Sequence, residues 1–246
     1  MVGAAPSQLI SRVSTAVLDG ARRALAERGW AVIRDLPLDP TGRDHDAVLD
    51  IASRFGRPSC RDGGTAVWPV TAREHDRLAT FSVRAGEAAL HTDAQYRARP
   101  EELVCLFVIR RATDGGATRL LSVQDVVTAL RQRAGGEWLL ARLREPVWRW
   151  ATPRPFSPEP GFRAAVLLSE CAIRWRADNL AGDLCKPTRA AARLFAEFVR
   201  TAPGVAQVWL DPRDMVIIDN LRMLHGRTAF TDPRRLLLRV RLWADC

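Results

Sequence analysis

His91 and Asp93 stand two residues apart in the run Leu90-His91-Thr92-Asp93-Ala94-Gln95-Tyr96. On an extended strand, residues at that spacing project from the same side. An imidazole and a carboxylate therefore converge, and Thr92 turns away. One distant segment can complete the same point: Asp219-Asn220-Leu221-Arg222-Met223-Leu224-His225-Gly226-Arg227, which carries His225. Two histidines and one carboxylate form the facial donor set of a non-haem Fe(II) centre, and they leave three positions open for substrate and oxygen. His91, Asp93 and His225 are thus the expected metal ligands and catalytic centre.

Such a centre needs a scaffold that brings position 225 against a strand more than a hundred residues earlier. Leu103 to Ile109 is apolar throughout, as in a strand buried on both faces. Further strand patterns run over 30–36, 66–70, 79–83, 117–121, 147–150, 164–168, 171–176, 206–210, 215–218 and 236–243. Helical periodicity covers 7–28, ended by Gly29, and 44–55, opened by Asp44. It returns over 122–131, opened by Ser122, and over 137–143 and 188–201. Asp114-Gly115-Gly116 reads as a hairpin-type turn. Arg57 to Thr65 reads as a flexible loop, either a lid over the metal segment or ordinary surface. Many short strands with a few helices predict a mainly β protein with flanking helices, a double-sheet jelly roll. With no repeat or linker, one domain is expected across residues 1–246.

Composition narrows the function classes. With 47% hydrophobic residues in 246, the chain can bury a sizeable core. No apolar run is long enough to span a bilayer, and the first residues lack a secretory pattern, so a cytoplasmic protein is expected. Five scattered cysteines without a C-x-x-C pair argue against a disulfide framework. The net charge of +9 is almost all arginine, with Lys186 the single lysine, and it is dispersed among Asp and Glu. A non-catalytic basic β-barrel that binds nucleic acid or another polyanion is the alternative class. It is disfavoured because aromatic residues do not interleave with a basic cluster.

Several residues near the motifs can contribute to a pocket. In the final strand Arg235, Leu237, Arg239 and Arg241 share one face, and Leu236, Leu238, Val240 and Leu242 form the core face. A guanidinium on the first face can hold a carboxylate bidentately. Gln95 and Tyr96 flank the metal motif, and Arg227 follows His225-Gly226. Arg174 or Arg176, on either side of Trp175, can hold an anionic group. Trp148 and Trp150 read as core, and His45 and His75 as surface.

Three blocks in order then match a known family. They are His91-Thr92-Asp93 with Arg99-Pro100, Gly115-Gly116-Ala117-Thr118, and Asp219-Asn220 through His225-Gly226-Arg227-Thr228-Ala229-Phe230 to Arg235 and Arg239. The chain resembles the taurine dioxygenase (TauD/TfdA)-like and clavaminate synthase-like Fe(II)/2-oxoglutarate oxygenases. The resemblance implies a double-stranded β-helix, with Fe(II), 2-oxoglutarate and O2 as cofactor and co-substrates. It implies that Thr118 and Arg235 grip the distal carboxylate of 2-oxoglutarate, and that Arg239 contacts co-substrate or substrate. The implied activity is hydroxylation or desaturation of a small molecule, amino-acid-like or sulfonate-like, in secondary or scavenging metabolism. It is coupled to decarboxylation of 2-oxoglutarate to succinate. Relatives that halogenate lack the metal carboxylate, which Asp93 supplies here.

Overall fold

The computed structural model describes residues 13–61, 63–72, 84–153 and 162–244. Its elements run α1 (Thr15–Arg28), β1 (Trp30–Ile33), α2 (His45–Ala52), β2 (Arg57–Pro58), β3 (Val67–Thr71), β4 (Ala88–His91), β5 (Leu103–Arg110) and β6 (Thr118–Ser122). There follow α3 (Val123–Arg131), α4 (Gly136–Arg144), β7 (Leu167–Ser169), β8 (Ala172–Ile173), α5 (Lys186–Thr201), β9 (Ala206–Val208), β10 (Met215–Asp219), β11 (Met223–Arg227) and β12 (Leu236–Trp243). The sequence-predicted strand at 79–83, residues 7–12 of the expected first helix and His75 lie outside the described residues, and α1 starts only at Thr15 because Ser14 caps it in an extended conformation.

The helix ends follow their local chemistry. Ser14, Asp44 and Ser122 each accept a backbone N–H from the first turn of α1, α2 and α3, and Gly29 closes α1 in the left-handed conformation. Pro187 stands at the start of α5, where its missing N–H costs nothing.

Two antiparallel sheets face each other. One runs β1-β10-β5-β12-β2, with β3 also on β12; the other runs β4-β11-β6-β9. Strand alternation sorts the core into three layers. Between the sheets lie Val108, Val216, Ile218 and Leu237 from one side and Leu120 and Met223 from the other. The outer face of the first sheet packs Cys105, Phe107, Ile217, Leu238 and Val240 against α1 and α2. The outer face of the second packs Leu90, Leu121 and Leu224 against α3, α4 and α5 with Trp148, Trp175 and Phe195. This is the double-stranded β-helix. The expected alternation of the last strand holds, with its even residues Leu238, Val240 and Leu242 in the helix-covered layer.

Three expectations are corrected. Asp114-Gly115-Gly116 is not a hairpin turn, because β5 and β6 belong to different sheets and the turn carries the chain across. Residues 147–150 form no strand; Trp148 and Trp150 make only isolated bridges, to Ala164 and Leu180, because both indoles are buried under the helices. The start of the 57–65 segment is not a free loop: β2 pairs with the end of β12, and Ser59 and Arg61 bond the buried Glu101 at 2.7 Å each.

Candidate active site

β4 and β11 are antiparallel neighbours with His91 directly opposite His225. Leu90 and Leu224 point outward into the helix-covered core, so both imidazoles point inward, between the sheets. Their ring centroids are 4.5 Å apart. Gly226 permits this approach: a Cβ there would lie 2.5 Å from the Ala88 carbonyl oxygen. Asp93 lies beyond the end of β4, in a turn, so the turn and not strand alternation swings its carboxylate back. One ligand atom each from His91, Asp93 and His225 lie within 4.8 Å of one another, and all three residues are buried.

The electrostatics suit a metal. The Nδ1 of His91 lies 2.8 Å from the Ala89 carbonyl, which can only accept, so Nε2 carries the lone pair. That Nε2 stands 3.6 Å from Asp93 Oδ1. Burial pushes both imidazoles down, His225 to about 3, with repulsion from Arg176 in the same sense for each, so both are neutral at pH 7. Burial alone would raise the Asp93 carboxyl, but the Arg239 guanidinium beside it holds it well below the usual range. The donor set is therefore two neutral nitrogens and a carboxylate, each in the form a divalent metal binds. The Nδ1 of His225 is buried without a hydrogen-bond partner among the described residues.

A cleft opens beside the imidazoles between the two sheets. His91, His225, Thr118, Arg227 and Arg235 line it with the apolar Val70, Leu106 and Leu237. Thr118 and Arg235 come together because the 113–118 and 228–235 segments are stitched. Ala117 donates to Thr228 Oγ1 at 3.0 Å, Thr228 donates to the Ala117 carbonyl at 2.9 Å, and Asp114 accepts the Thr231 N–H at 2.8 Å. A Cβ at Gly115 would lie 2.0 Å from the Ala229 oxygen, and one at Gly116 3.1 Å from Arg235 Nε. The glycine pair thus lets the two segments touch.

Arg235 is 5% exposed. Its guanidinium stands 4.9 Å from the Phe230 ring and has no anionic partner among the described residues. Burial, then Arg227, lowers it to about 9. A buried cation beside another cation, facing a cleft, is a site for a carboxylate.

The other arginines differ. Arg239 lies across the sheets from β4, and its Nη1 bonds Asp93 Oδ2 at 3.0 Å. It therefore braces the carboxylate rather than lining the cleft. Arg227 lines the cleft but donates to the carbonyls of Arg84 and Gly86. Arg174 is taken up by the carbonyls of Gln95, Arg97 and Ala98 at 3.3, 2.7 and 3.1 Å, so it shapes the 95–98 loop. Arg176 binds Asp178 through two bonds, at 2.7 and 3.1 Å. Gln95 is fully buried and donates to Asn179 Oδ1 at 2.7 Å, and Tyr96 sits in the core under the helices with Trp175. Sequence reasoning gave no role to Asn220, Glu101 or Asp178. The polar pair Asp219-Asn220 directly after the apolar run 215–218 is the signal that points to this turn.

The family model described as Taurine catabolism dioxygenase TauD, TfdA family matches residues 9–241. The chain belongs to the TauD/TfdA family. Solved structures share its fold. Asparagine oxygenase in complex with Fe(II), 2S,3S-3-hydroxyasparagine and succinate aligns at TM-score 0.74 and 22% identity, over 97% of this chain and 82% of that one. The non-heme iron oxygenase OrfP in complex with Fe and alpha-ketoglutaric acid aligns at TM-score 0.65 and 18% identity, over 98% and 86%. No curated protein matches the chain. Within the TauD/TfdA fold, the buried His-Asp-His cluster falls between the two sheets, at the mouth of the cleft that holds Arg235.

Proposed function

We propose that this protein is an Fe(II)- and 2-oxoglutarate-dependent dioxygenase that hydroxylates a small molecule. The observation that carries the reading is the buried convergence of His91, Asp93 and His225, in the ionisation states a metal needs. These three would hold the iron, which when bound supplies the oxygen-activating chemistry that the protein's own side chains lack.

The chain's residues do the rest. Arg235 is the counter-ion for the distal carboxylate of 2-oxoglutarate, and Thr118, buried in the same cleft, completes that grip. Val70, Leu106 and Leu237 exclude water alongside the co-substrate, which strengthens the ion pair. Arg239 keeps the Asp93 carboxylate ionised and oriented. Arg176, near both imidazoles and paired with Asp178, is the candidate group for an anionic part of the substrate.

An amino-acid-like substrate is the favoured class. The similar asparagine oxygenase was solved with a hydroxylated asparagine, and OrfP with (3S)-hydroxy-L-Arg. A reducing cytoplasm suits a ferrous enzyme whose described cysteines are all free.

Anaerobic addition of Fe(II) and 2-oxoglutarate to the protein should produce the visible charge-transfer absorption of the chelate. A panel of free amino acids is then scored by its perturbation, and by succinate release in air. His91→Ala should abolish both signals. Absence of the absorption in the wild-type protein would sink the reading.

A further inference from the structure

Asn220 lies in the turn between β10 and β11 and is 0% exposed. Its Oδ1 accepts the main-chain N–H of Asp93 at 2.7 Å. Its Nδ2 donates to the main-chain carbonyls of Asp93 at 3.0 Å and Glu101 at 2.8 Å. Its own N–H donates to the Glu102 carbonyl at 2.7 Å. One amide thus grips both the N–H and the C=O of Asp93, across 127 positions of sequence.

Asp93 needs such a grip. It lies outside any strand, so no ladder fixes its backbone. Ala94, the next residue, has φ 55°, a left-handed conformation that a non-glycine residue adopts at a cost. On the other side, the Thr92 N–H donates to the Trp175 carbonyl at 2.7 Å and Thr92 Oγ1 accepts the Trp175 N–H at 3.0 Å. Those bonds tie Thr92 to the segment that precedes α5, not to β11. Asn220 ties Asp93 to the turn from which β11 starts, five residues before His225. It therefore sets where the carboxylate of one segment stands relative to the imidazole of the other.

We infer that Asn220 is a positioning residue of the metal centre, coupling Asp93 to the strand that carries His225. The inference rests on the metal reading above. Groups that orient metal ligands are worth about 10- to 100-fold in metal affinity. A group that merely fills space lowers stability and leaves affinity alone.

The test titrates metal-free protein with Co(II), read by its visible absorption, and compares the wild type with Asn220→Ala. Leu140→Ala, a fully buried position on α4 in the core layer on the opposite face of the sheet from the imidazoles, serves as a control of similar destabilisation. Asn220→Ala should bind Co(II) about 10- to 100-fold more weakly, and Leu140→Ala as tightly as the wild type. Amide exchange measured without metal should speed up at Asp93 in Asn220→Ala and not in the control. Equal Co(II) affinity in wild type and Asn220→Ala, or unchanged exchange at Asp93, overturns the inference. If the alanine variant does not fold, Asn220→Asp carries the test. It keeps the acceptor for the Asp93 N–H and loses both donations, and unchanged affinity there overturns the inference equally. A wild-type protein that fails to bind Co(II) defeats the metal reading itself, whereas the exchange measurement still reports on the grip.

Discussion

A buried imidazole that stays neutral ties stability to pH. His225 has its ordinary value of 6.5 in the unfolded chain and is lowered to about 3 in the fold, and His91 is lowered too. Between those values the unfolded chain binds a proton that the native one refuses. Stability therefore falls as pH drops below 6.5, by up to about 1.4 kcal/mol per pH unit for each imidazole. Asp93 acts in the same sense at lower pH. Its depressed carboxyl contributes stability above its unfolded value and loses it as pH falls further. The urea midpoint of metal-free protein should decline from pH 7 to pH 4.5, and His225→Gln should flatten the decline; parallel curves would contradict this. Arg235 makes the opposite case, a buried cation with no anion beside it. Arg235→Gln should weaken 2-oxoglutarate binding roughly 100-fold, about 3 kcal/mol for a charge-assisted carboxylate contact. It should leave the stability of the unliganded protein unchanged or raised, because a desolvated charge beside Arg227 is removed. Calorimetric titration together with a thermal melt checks both halves.

At the scale of elements, β4 and β11 bring His91 and His225 face to face only because Gly226 lets the two strands touch. Gly226→Ala places a methyl 2.5 Å from a backbone oxygen, so the strands must part. A loss of about 2–3 kcal/mol of stability is expected, accompanied by weaker Co(II) binding, since His91 and His225 face each other across that pair. Ser122 caps α3 on the far side of the same sheet, accepting the Asp125 N–H at 3.0 Å. Ser122→Ala should cost about 1 kcal/mol and leave metal and 2-oxoglutarate affinity as they were. If its affinities fell in step with Gly226→Ala, the argument from strand contact would fail.

The whole molecule is also tied together by a buried ion cluster beside the turn that carries Asp93. The Glu101 carboxylate accepts from Ser59 and Arg61 at 2.7 Å each and lies 3.6 Å from Arg241, joining the β2 end, the 101–102 turn and β12. Removing one partner of a buried pair strands the others, so Glu101→Ala should cost about 3 kcal/mol, read as a shift of the urea midpoint. A midpoint within error of the wild type would show the cluster to be without weight. Pairing recurs among the arginines of this chain, whose net charge is +9. Arg22, Arg111 and Arg200 pair with nearby carboxylates at 2.8, 2.9 and 2.5 Å. No helix among the described residues is long and apolar enough to cross a membrane.

What the amino-acid order determined by itself was local or periodic. The caps Asp44 and Ser122, the alternating faces of β12 and the residue types of the His-Asp-His set follow from rules that act over a few positions. The tertiary structure alone decided the partners of the buried polar groups. Arg239 meets Asp93 and Arg174 meets three carbonyls, Gly115-Gly116 crosses between sheets instead of closing a hairpin, and Asn220 holds a turn 127 positions away. The reason is physical. A hydrogen bond or ion pair in the interior is chosen by which groups the folded sheets bring within about 3 Å, and with 37 basic residues in the chain sequence spacing cannot say which guanidinium that will be.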